Sequence, residues 1–199
     1  MAKNSNSSMN LRMTVYIALF TALIIIGGYI SVPVPVGPVP IVLADFFVMV
    51  TGLFLGRKRG AISVALYLAL GALGLPVFAG GKAGLAVLFG PTGGFLFGYF
   101  LVVIAIGLLT ESVETTPGKA MLVKNVIALV AGNVLLYLVG VPWLKAVAKM
   151  SWAGAIIAGF VPFIAGIIIK IAAAAALGQI LLPRFKQTLI QITPQTEEA

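Results

Sequence analysis

The pattern of hydrophobic and polar positions divides this chain into six long apolar segments joined by short polar or irregular stretches. A helix needs about 20 apolar residues to cross a bilayer, so the second and third segments are short for a span and the sixth is long enough to tilt or to extend beyond it. The pattern predicts an all-α integral membrane protein with six transmembrane helices. The six segments are Leu11–Ile30, Ile41–Leu55, Ala61–Leu75, Gly93–Leu109, Met121–Val141 and Ala153–Leu182.

The boundaries of this membrane domain follow from the same pattern. Residues 1–10 form a polar N-terminal tail, residues 11–182 hold the six segments, and residues 183–199 form a polar C-terminal tail that we expect to fray after Pro183. The first apolar run is not followed by a small-residue cleavage site, so we interpret it as a retained span and not as a signal peptide.

Three connections between the segments have unusual composition. Val32–Pro40 carries four prolines in nine residues, which predicts an extended, ordered cap on the membrane surface. Gly56–Gly60, with the sequence GRKRG, predicts a tight charged turn. Trp143–Trp152 places Lys145 and Lys149 between two tryptophans, a pattern typical of a short helix lying in the membrane interface.

The stretch Pro76–Gly94 is the first candidate for a binding site. Six glycines, two prolines and Lys82 interrupt an otherwise apolar run, and such irregular backbone must lie against protein, water or a ligand because lipid offers it no hydrogen-bond partners. Thr92 is expected to cap the fourth helix, whose first free N–H groups would suit an anion. The candidate residues here are Gly80, Gly81, Lys82, Gly90, Pro91, Thr92, Gly93 and Gly94.

Composition supports a membrane protein and narrows the chemistry. Hydrophobic residues make up 61% of the chain and charged residues 9%, with a mean hydropathy of +1.15, against roughly 25% charged residues in soluble proteins. The chain contains no cysteine and no histidine, which removes thiolate sites, the usual general base and the commonest metal ligand. Carboxylates that could work as a pair are also scarce, and no phosphate loop is present. We therefore expect no enzyme activity, no metal and no cofactor.

The net charge of +8 reflects membrane orientation and not nucleic-acid binding, because the basic residues lie at the ends of the apolar segments. Counting them by side after six crossings gives nine Lys and Arg residues on the side of the N-terminus against three on the other. Basic residues accumulate on the cytoplasmic side. Both termini are therefore predicted to be cytoplasmic. The proline-rich segment Val32–Pro40, the glycine-rich stretch Pro76–Gly94 and the segment Trp143–Trp152 then share the outer side, where we expect them to form an extracellular mouth that caps a ligand pocket.

Polar residues inside the apolar segments are further candidates for ligand contact. Asp45 and Lys170 each cost on the order of 2.5–3.5 kcal/mol to insert, so each should face the protein interior with a partner. One or both touch a polar substrate, or they pair with each other as a structural lock, or Asp45 snorkels to the membrane surface. Asn133 and Tyr137 are four residues apart on one helix face, and they either present an amide and a hydroxyl to one ligand or join two helices by a hydrogen bond.

The first segment carries a groove of small side chains. Thr14, Ala18 and Ala22 recur every four residues, which is a docking surface for another helix. The spacing alone leaves open whether that helix belongs to this chain or to a partner.

Several of these stretches together resemble one known family. The GRKRG turn, GLPVFAGGKAGLAVLFGPTGGFLFGY from Gly74 to Tyr99, YLVGVPWL from Tyr137 to Leu144 and PFIAGIIIK from Pro162 to Lys170 are similar to the biotin-specific S components (BioY) of energy-coupling factor (ECF) vitamin transporters. The resemblance covers nearly the whole membrane part.

The resemblance implies a substrate-binding subunit in a prokaryotic cell membrane that captures biotin outside and associates with a transmembrane coupling subunit and two ATPase subunits. It also implies that Ala18–Ala22 is the AxxxA docking motif of S components. The chain departs from the family in two places: the family commonly has Gln where this chain has Ala44, and an acidic residue where it has Ile167. An S component for a related acid such as lipoate is therefore an alternative, as are a self-sufficient small-solute transporter and a membrane scaffold without a small ligand.

Overall fold

Long apolar helices make up most of the computed structural model, which describes residues 2–111 and 117–192. A short two-stranded hairpin and two single turns of 3-10 helix, at Ala79–Gly81 and Val161–Phe163, complete the described part. The elements are α1 (Ala2–Tyr29), β1 (Ser31–Val32), β2 (Ile41–Val42), α2 (Ala44–Ala72), α3 (Leu85–Leu88), α4 (Gly93–Thr110), α5 (Lys119–Val147), α6 (Trp152–Gly159) and α7 (Ile164–Ile192).

Helix α2 folds back on itself at Gly56, so that it forms two limbs over residues 44–55 and 57–72. Gly56 has φ 70° and ψ −174°, a backbone conformation that only glycine adopts readily. Ala44 and Tyr67 line the same cavity, whereas a continuous helix would hold them about 34 Å apart. The predicted turn at GRKRG is therefore present, and the two limbs correspond to the second and third apolar segments.

Helix α4 packs between α2 and α5 at the centre of the fold, and its Val103 and Ile106 are fully buried. Close packing there depends on small residues. A Cβ atom at Gly52 of α2 would lie 2.9 Å from Ile106, and one at Gly107 would lie 2.1 Å from the backbone nitrogen of Arg57. Large apolar side chains such as Ile127 and Ile169 remain exposed on the outer helices.

Four of the described helical stretches are long and apolar enough to cross a membrane: Leu11–Tyr29, Gly93–Thr110, Lys119–Val147 and Trp152–Phe185. Each limb of α2 is shorter than the about 20 residues of a full crossing. The exposed apolar surface and these lengths together indicate a mostly helical protein of the membrane.

The proline-rich segment is an ordered connection, as its composition predicts. Strand β1 pairs antiparallel with β2, with Ser31 opposite Val42, and residues 33–40 join the two strands. Gly37 anchors this connection on α6, because a Cβ there would lie 2.6 Å from the Cβ of Ala158. The glycine-rich stretch folds beside it as a 3-10 turn followed by α3.

The short interfacial helix predicted at Trp143–Trp152 is wrong. Helix α5 continues through Pro142 to Val147 because Leu144 is completely buried and Trp143 packs against α4. The helix then ends before Lys149, whose φ of 53° is left-handed.

The sixth apolar segment is not one long helix. Helix α6 ends at Gly159, Phe160 has a non-helical φ of −135°, and a 3-10 turn that contains Pro162 leads into α7. The predicted fraying after Pro183 is also wrong for the described residues, since α7 continues to Ile192 with Pro183 inside it. Phe185 packs edge-on against Tyr16 and Phe54, and these contacts stabilise the helix beyond Pro183.

Candidate ligand-binding chamber

Two adjoining cavities lie beneath the proline-rich and glycine-rich connections, and together they are called the chamber here. The larger contains Lys82 and Thr92, and the smaller contains Asp45, Tyr137 and Lys170. Both are bounded by the shared residues Val39, Pro40, Val42, Phe95 and Tyr99. Three sequence candidates from distant parts of the chain thus meet in the smaller cavity.

Asp45 and Lys170 form a nearly buried ion pair at the wall of the smaller cavity. The Lys170 ammonium donates to both carboxylate oxygens of Asp45, at 2.7 and 2.8 Å, and to the backbone oxygen of Val42 at 2.7 Å. An ammonium has three donors, so Lys170 has none left for a ligand. The structure therefore bears out the pairing alternative for these two charges.

Asp45 keeps hydrogen-bonding capacity that Lys170 lacks. A carboxylate offers about four lone-pair positions, and three are used, two by Lys170 and one by the N–H of Phe46 at 3.0 Å. The remaining position belongs to Oδ2, on a side chain that is 12% exposed beside the cavity. The pair can therefore accept one N–H from a molecule in the chamber.

Aromatic residues that the sequence analysis did not select form much of the remaining wall. Tyr67 and Tyr99 line the larger cavity with ring centroids 6.4 Å apart, and Phe78 packs edge-on against Tyr67 at 5.5 Å. Neither tyrosine hydroxyl has a hydrogen-bond partner among the described residues. Phe95 and Tyr99 are four residues apart on one face of α4, directly after GPTGG. This spacing is the sequence signal that could have identified these two residues.

Lys82 stands between the chamber and an outer vestibule. This vestibule, about 240 Å³ in volume, lies between the two irregular connections and shares Pro40, Ala79 and Lys82 with the chamber. Gly80 also lines it. The positive φ angles of Gly80 and Gly81, 65° and 77°, form the turn that brings the backbone of Lys82 back to pair with Phe78. The lysine is exposed at this position.

The side-chain cap predicted at Thr92 is wrong. Thr92 has helical angles, φ −87° and ψ −8°, and accepts no hydrogen bond through its side chain, whereas a capping residue has an extended backbone. The N–H groups of Gly93 and Phe95 already donate to the carbonyls of Gly90 and Thr92. Thr92 nevertheless lines the larger cavity.

The glycines of GPTGG admit Trp143 of α5. A Cβ at Gly94 would lie 2.3 Å from the Trp143 Cβ, and the indole N–H donates to the carbonyl of Gly90 at 2.9 Å. Gly90, Pro91, Gly93 and Gly94 do not line the chamber themselves. This contact fixes the backbone on both sides of Thr92.

Asn133 and Tyr137 both line a groove of about 200 Å³ beside α5 and α7, but only Tyr137 lines the chamber. Tyr137 lines the smaller cavity, where it packs against Phe95. Asn133 instead donates to the sulfur of Met49 on α2 at 2.9 Å and to the carbonyl of Leu129. The interhelical alternative therefore describes Asn133 in this structure.

Thr14, Ala18 and Ala22 lie on the exposed surface of α1. None of them lines either cavity of the chamber. The small-residue groove is thus open to a helix from outside this chain.

The chamber is narrow in this structure. Its two cavities measure about 50 and 40 Å³, compared with roughly 300–1,000 Å³ for typical small-molecule sites. The chamber in this conformation is therefore smaller than a ligand of vitamin size.

Comparison with known proteins agrees with this architecture. The sequence profile of the BioY family matches residues 1–187. The chain is 43% identical to the biotin transporter BioY of Thermotoga maritima, over 83% of this chain and 92% of that protein. It is 39% identical to the biotin transporter BioY of Rhizobium etli, over 87% of this chain and 95% of that protein.

A solved structure matches the fold as well. The 2.1 Å crystal structure of the S-component for biotin from an ECF-type ABC transporter superposes with a TM-score of 0.80 at 30% identity, covering 90% of this chain and 93% of that one. Sequence and fold agree over nearly the full length of the chain. The chain belongs to the BioY family.

Proposed function

We propose that this protein is the substrate-binding S subunit of an ECF importer and that it captures biotin from outside the cell. The observation that carries the proposal is the buried Asp45–Lys170 pair, which presents one unused acceptor to a chamber with mostly apolar and aromatic walls. Such a chamber suits a small molecule with an apolar body and one or two polar groups. The similarity to biotin S components supports the same conclusion.

The chamber and vestibule together suggest how biotin is held. The ureido ring donates an N–H to Asp45, while the hydroxyls of Tyr67 and Tyr99 supply further polar partners. The bicyclic body packs against Phe95. The carboxylate tail points outward to Lys82, whose ammonium meets it at the boundary with the vestibule, beside Thr92.

Lipoate is the alternative ligand, and the ion pair argues against it. Lipoate shares the carboxylate tail but has no N–H to give to Asp45. A hydrogen bond to a charged group contributes about 1.5–3 kcal/mol, so this chamber should discriminate in favour of biotin even though Ala44 and Ile167 depart from the family pattern.

In the proposed topology the chain crosses a prokaryotic plasma membrane six times, with the two limbs of α2 as the second and third crossings and α6 with α7 as the last. Both termini are cytoplasmic because nine of the basic residues then lie inside. The vestibule opens to the extracellular side.

The groove of Thr14, Ala18 and Ala22 is proposed to receive a helix of the transmembrane coupling subunit, which also recruits two ATPase subunits. Small residues allow close approach of two helices in lipid. The exposure of all three residues supports this assignment over packing inside the chain.

A self-sufficient transporter is the competing function, and uptake measurements separate the two. Cells that cannot make biotin would produce this chain with or without the coupling subunit and the ATPases. Uptake should require the partners, and Ala18→Trp or Ala22→Trp should abolish both uptake and co-purification of the coupling subunit. Biotin binding by the purified variants should be unchanged.

Leu138→Trp provides the matched control, because Leu138 is an exposed apolar residue on α5, 63% accessible and outside the groove. That variant should transport normally. Equal uptake with and without the partners would show a self-sufficient transporter. If the α1 variants lose biotin binding but still co-purify with the coupling subunit, the groove belongs to the ligand site and not to the partner interface.

A further inference from the structure

A basic cavity lies at the opposite end of the molecule from the vestibule. It measures about 350 Å³, roughly ten times the volume that one water occupies in the liquid. Its walls come from the turn between the limbs of α2 and from the end of α4. Arg57, Lys58 and Arg59 line it, together with Thr110 and Glu111.

The charges around this cavity are not balanced within the described residues. Arg57 pairs with Glu111 at 3.1 Å, whereas Lys58 and Arg59 have no carboxylate partner in residues 2–111 and 117–192. The three cations also begin the second limb of α2, where the positive end of the helix dipole repels each of them. An anion in the cavity would relieve this excess of positive charge.

Glu111, the one carboxylate among the described residues that line this cavity, can be displaced. The side chains of Arg57 and Glu111 are 43% and 50% exposed, and ion pairs this open to solvent contribute only about 0–1 kcal/mol. Arg57 can therefore turn from Glu111 to a phosphate, for which its planar guanidinium provides two parallel donors.

The floor of the cavity is apolar. Leu53, Phe54 and Leu55, the last turn of the first limb, line it together with the cations. A soluble phosphate has no apolar part that could contact these side chains. A phospholipid does, because its glycerol and the start of its acyl chains adjoin the phosphate. Basic pockets between membrane helices on the cytoplasmic side commonly hold acidic lipid headgroups.

We propose that this cavity binds the phosphodiester headgroup of an anionic glycerophospholipid. In the proposed topology the lipid comes from the cytoplasmic leaflet. Arg57, Lys58 and Arg59 surround the phosphate, and the glycerol lies against the apolar side chains of Leu53, Phe54 and Leu55. The site is independent of the biotin chamber.

Lipid retention by the purified protein tests the proposal. The protein would be exchanged into nanodiscs of phosphatidylcholine with increasing fractions of phosphatidylglycerol, and bound lipid would be counted by native mass spectrometry after release. The wild type should retain phosphatidylglycerol in preference to phosphatidylcholine. Lys58→Gln with Arg59→Gln should weaken that preference about 30-fold, from the loss of two cations near the surface.

Lys119→Gln with Lys124→Gln is the matched control. It removes the same number of positive charges from the same proposed side of the membrane, and neither lysine lines the cavity. This variant should keep the lipid preference. Melting temperatures in pure phosphatidylcholine should agree among all three proteins, which shows that folding is intact.

Three results would overturn the proposal. If both double variants lose the same part of the preference for phosphatidylglycerol, that preference comes from general surface charge and not from this cavity. Inorganic phosphate that stabilises the detergent-solubilised protein as well as phosphatidylglycerol does would identify a soluble anion as the occupant. If the Lys58 and Arg59 variant keeps its lipid but no longer co-purifies with the coupling subunit, the cavity is a protein contact.

Discussion

Lys170 is a charge among apolar residues in the second turn of α7, and its partners come from elsewhere in the fold. Asp45 and the carbonyl of Val42, on the other side of the chamber, take all three of its donors. Removing one member of such a buried pair leaves an uncompensated charge, which costs about 3–5 kcal/mol. Each charge therefore has a structural role in addition to any contact that Asp45 makes with a ligand.

This dependence predicts a specific pattern in a double-mutant cycle. Asp45→Asn and Lys170→Met should each lower the free energy of unfolding in detergent by about 3–5 kcal/mol, and the double variant should lose clearly less than the sum. Chemical denaturation measures all four proteins. Additivity to within about 0.5 kcal/mol would show that the two residues do not stabilise the fold as a pair.

The sequence predicted both charges as interior residues, because the cost of exposing them to lipid is independent of the fold. It could not decide between pairing and ligand contact, since Asp45 and Lys170 are 125 positions apart. The aromatic wall was missed for a related reason. Tyr67 and Tyr99 lie in apolar runs where a tyrosine can equally face the core, the chamber or the membrane interface.

At the scale of the elements, the contact between α4 and α5 holds one wall of the chamber in place. Trp143 fills the space that Gly94 leaves open and bonds to the carbonyl of Gly90. The sequence identified GPTGG as important, but it suggested an anion-binding helix end. Its glycines instead allow the close approach of Trp143, almost fifty residues later in the chain. A local sequence pattern cannot reveal such a distant contact.

A methyl group at position 94 should disturb this contact. Gly94→Ala places a Cβ 2.3 Å from that of Trp143, and such overpacking typically costs about 1–3 kcal/mol. The variant should melt at a lower temperature and bind ligand more weakly, because the backbone next to Thr92 shifts. Thermal unfolding and a ligand titration measure the two effects.

Gly166→Ala is the control for this substitution. A Cβ at Gly166 would have no neighbour within 4 Å, and alanine favours the helix by up to about 1 kcal/mol over glycine. Its stability should be equal to or higher than that of the wild type. Equal effects at positions 94 and 166 would contradict the role given to Trp143.

Across the whole molecule, the irregular segments gather at one end and the basic turn lies at the other. Hydrophobic pattern and basic-residue counts predicted the helical membrane fold because both depend on the bilayer and not on tertiary contacts. The same pattern ended the fifth segment at Val141 and predicted fraying after Pro183, whereas α5 continues through Pro142 and α7 through Pro183. In both cases packing of neighbours, Leu144 and Phe185, outweighs the local effect of the proline.

The proposed orientation can be tested on this cysteine-free chain. Val36→Cys in the proline-rich connection and Lys119→Cys at the start of α5 introduce single, exposed thiols. A membrane-impermeant maleimide added to intact cells should label position 36 and not position 119, which should react only after the membrane is opened. Labelling of both from outside would exclude the six-span topology.

Biotin capture by the chamber is the central claim, and calorimetry on the purified protein tests it most directly. Biotin should bind tightly, lipoate much more weakly because it has no N–H for Asp45, and biotin methyl ester about 10- to 100-fold more weakly than biotin because it lacks the charge that meets Lys82. Lys82→Ala should reduce the difference in affinity between biotin and its methyl ester. Binding of lipoate without biotin, or of neither compound, would contradict the account.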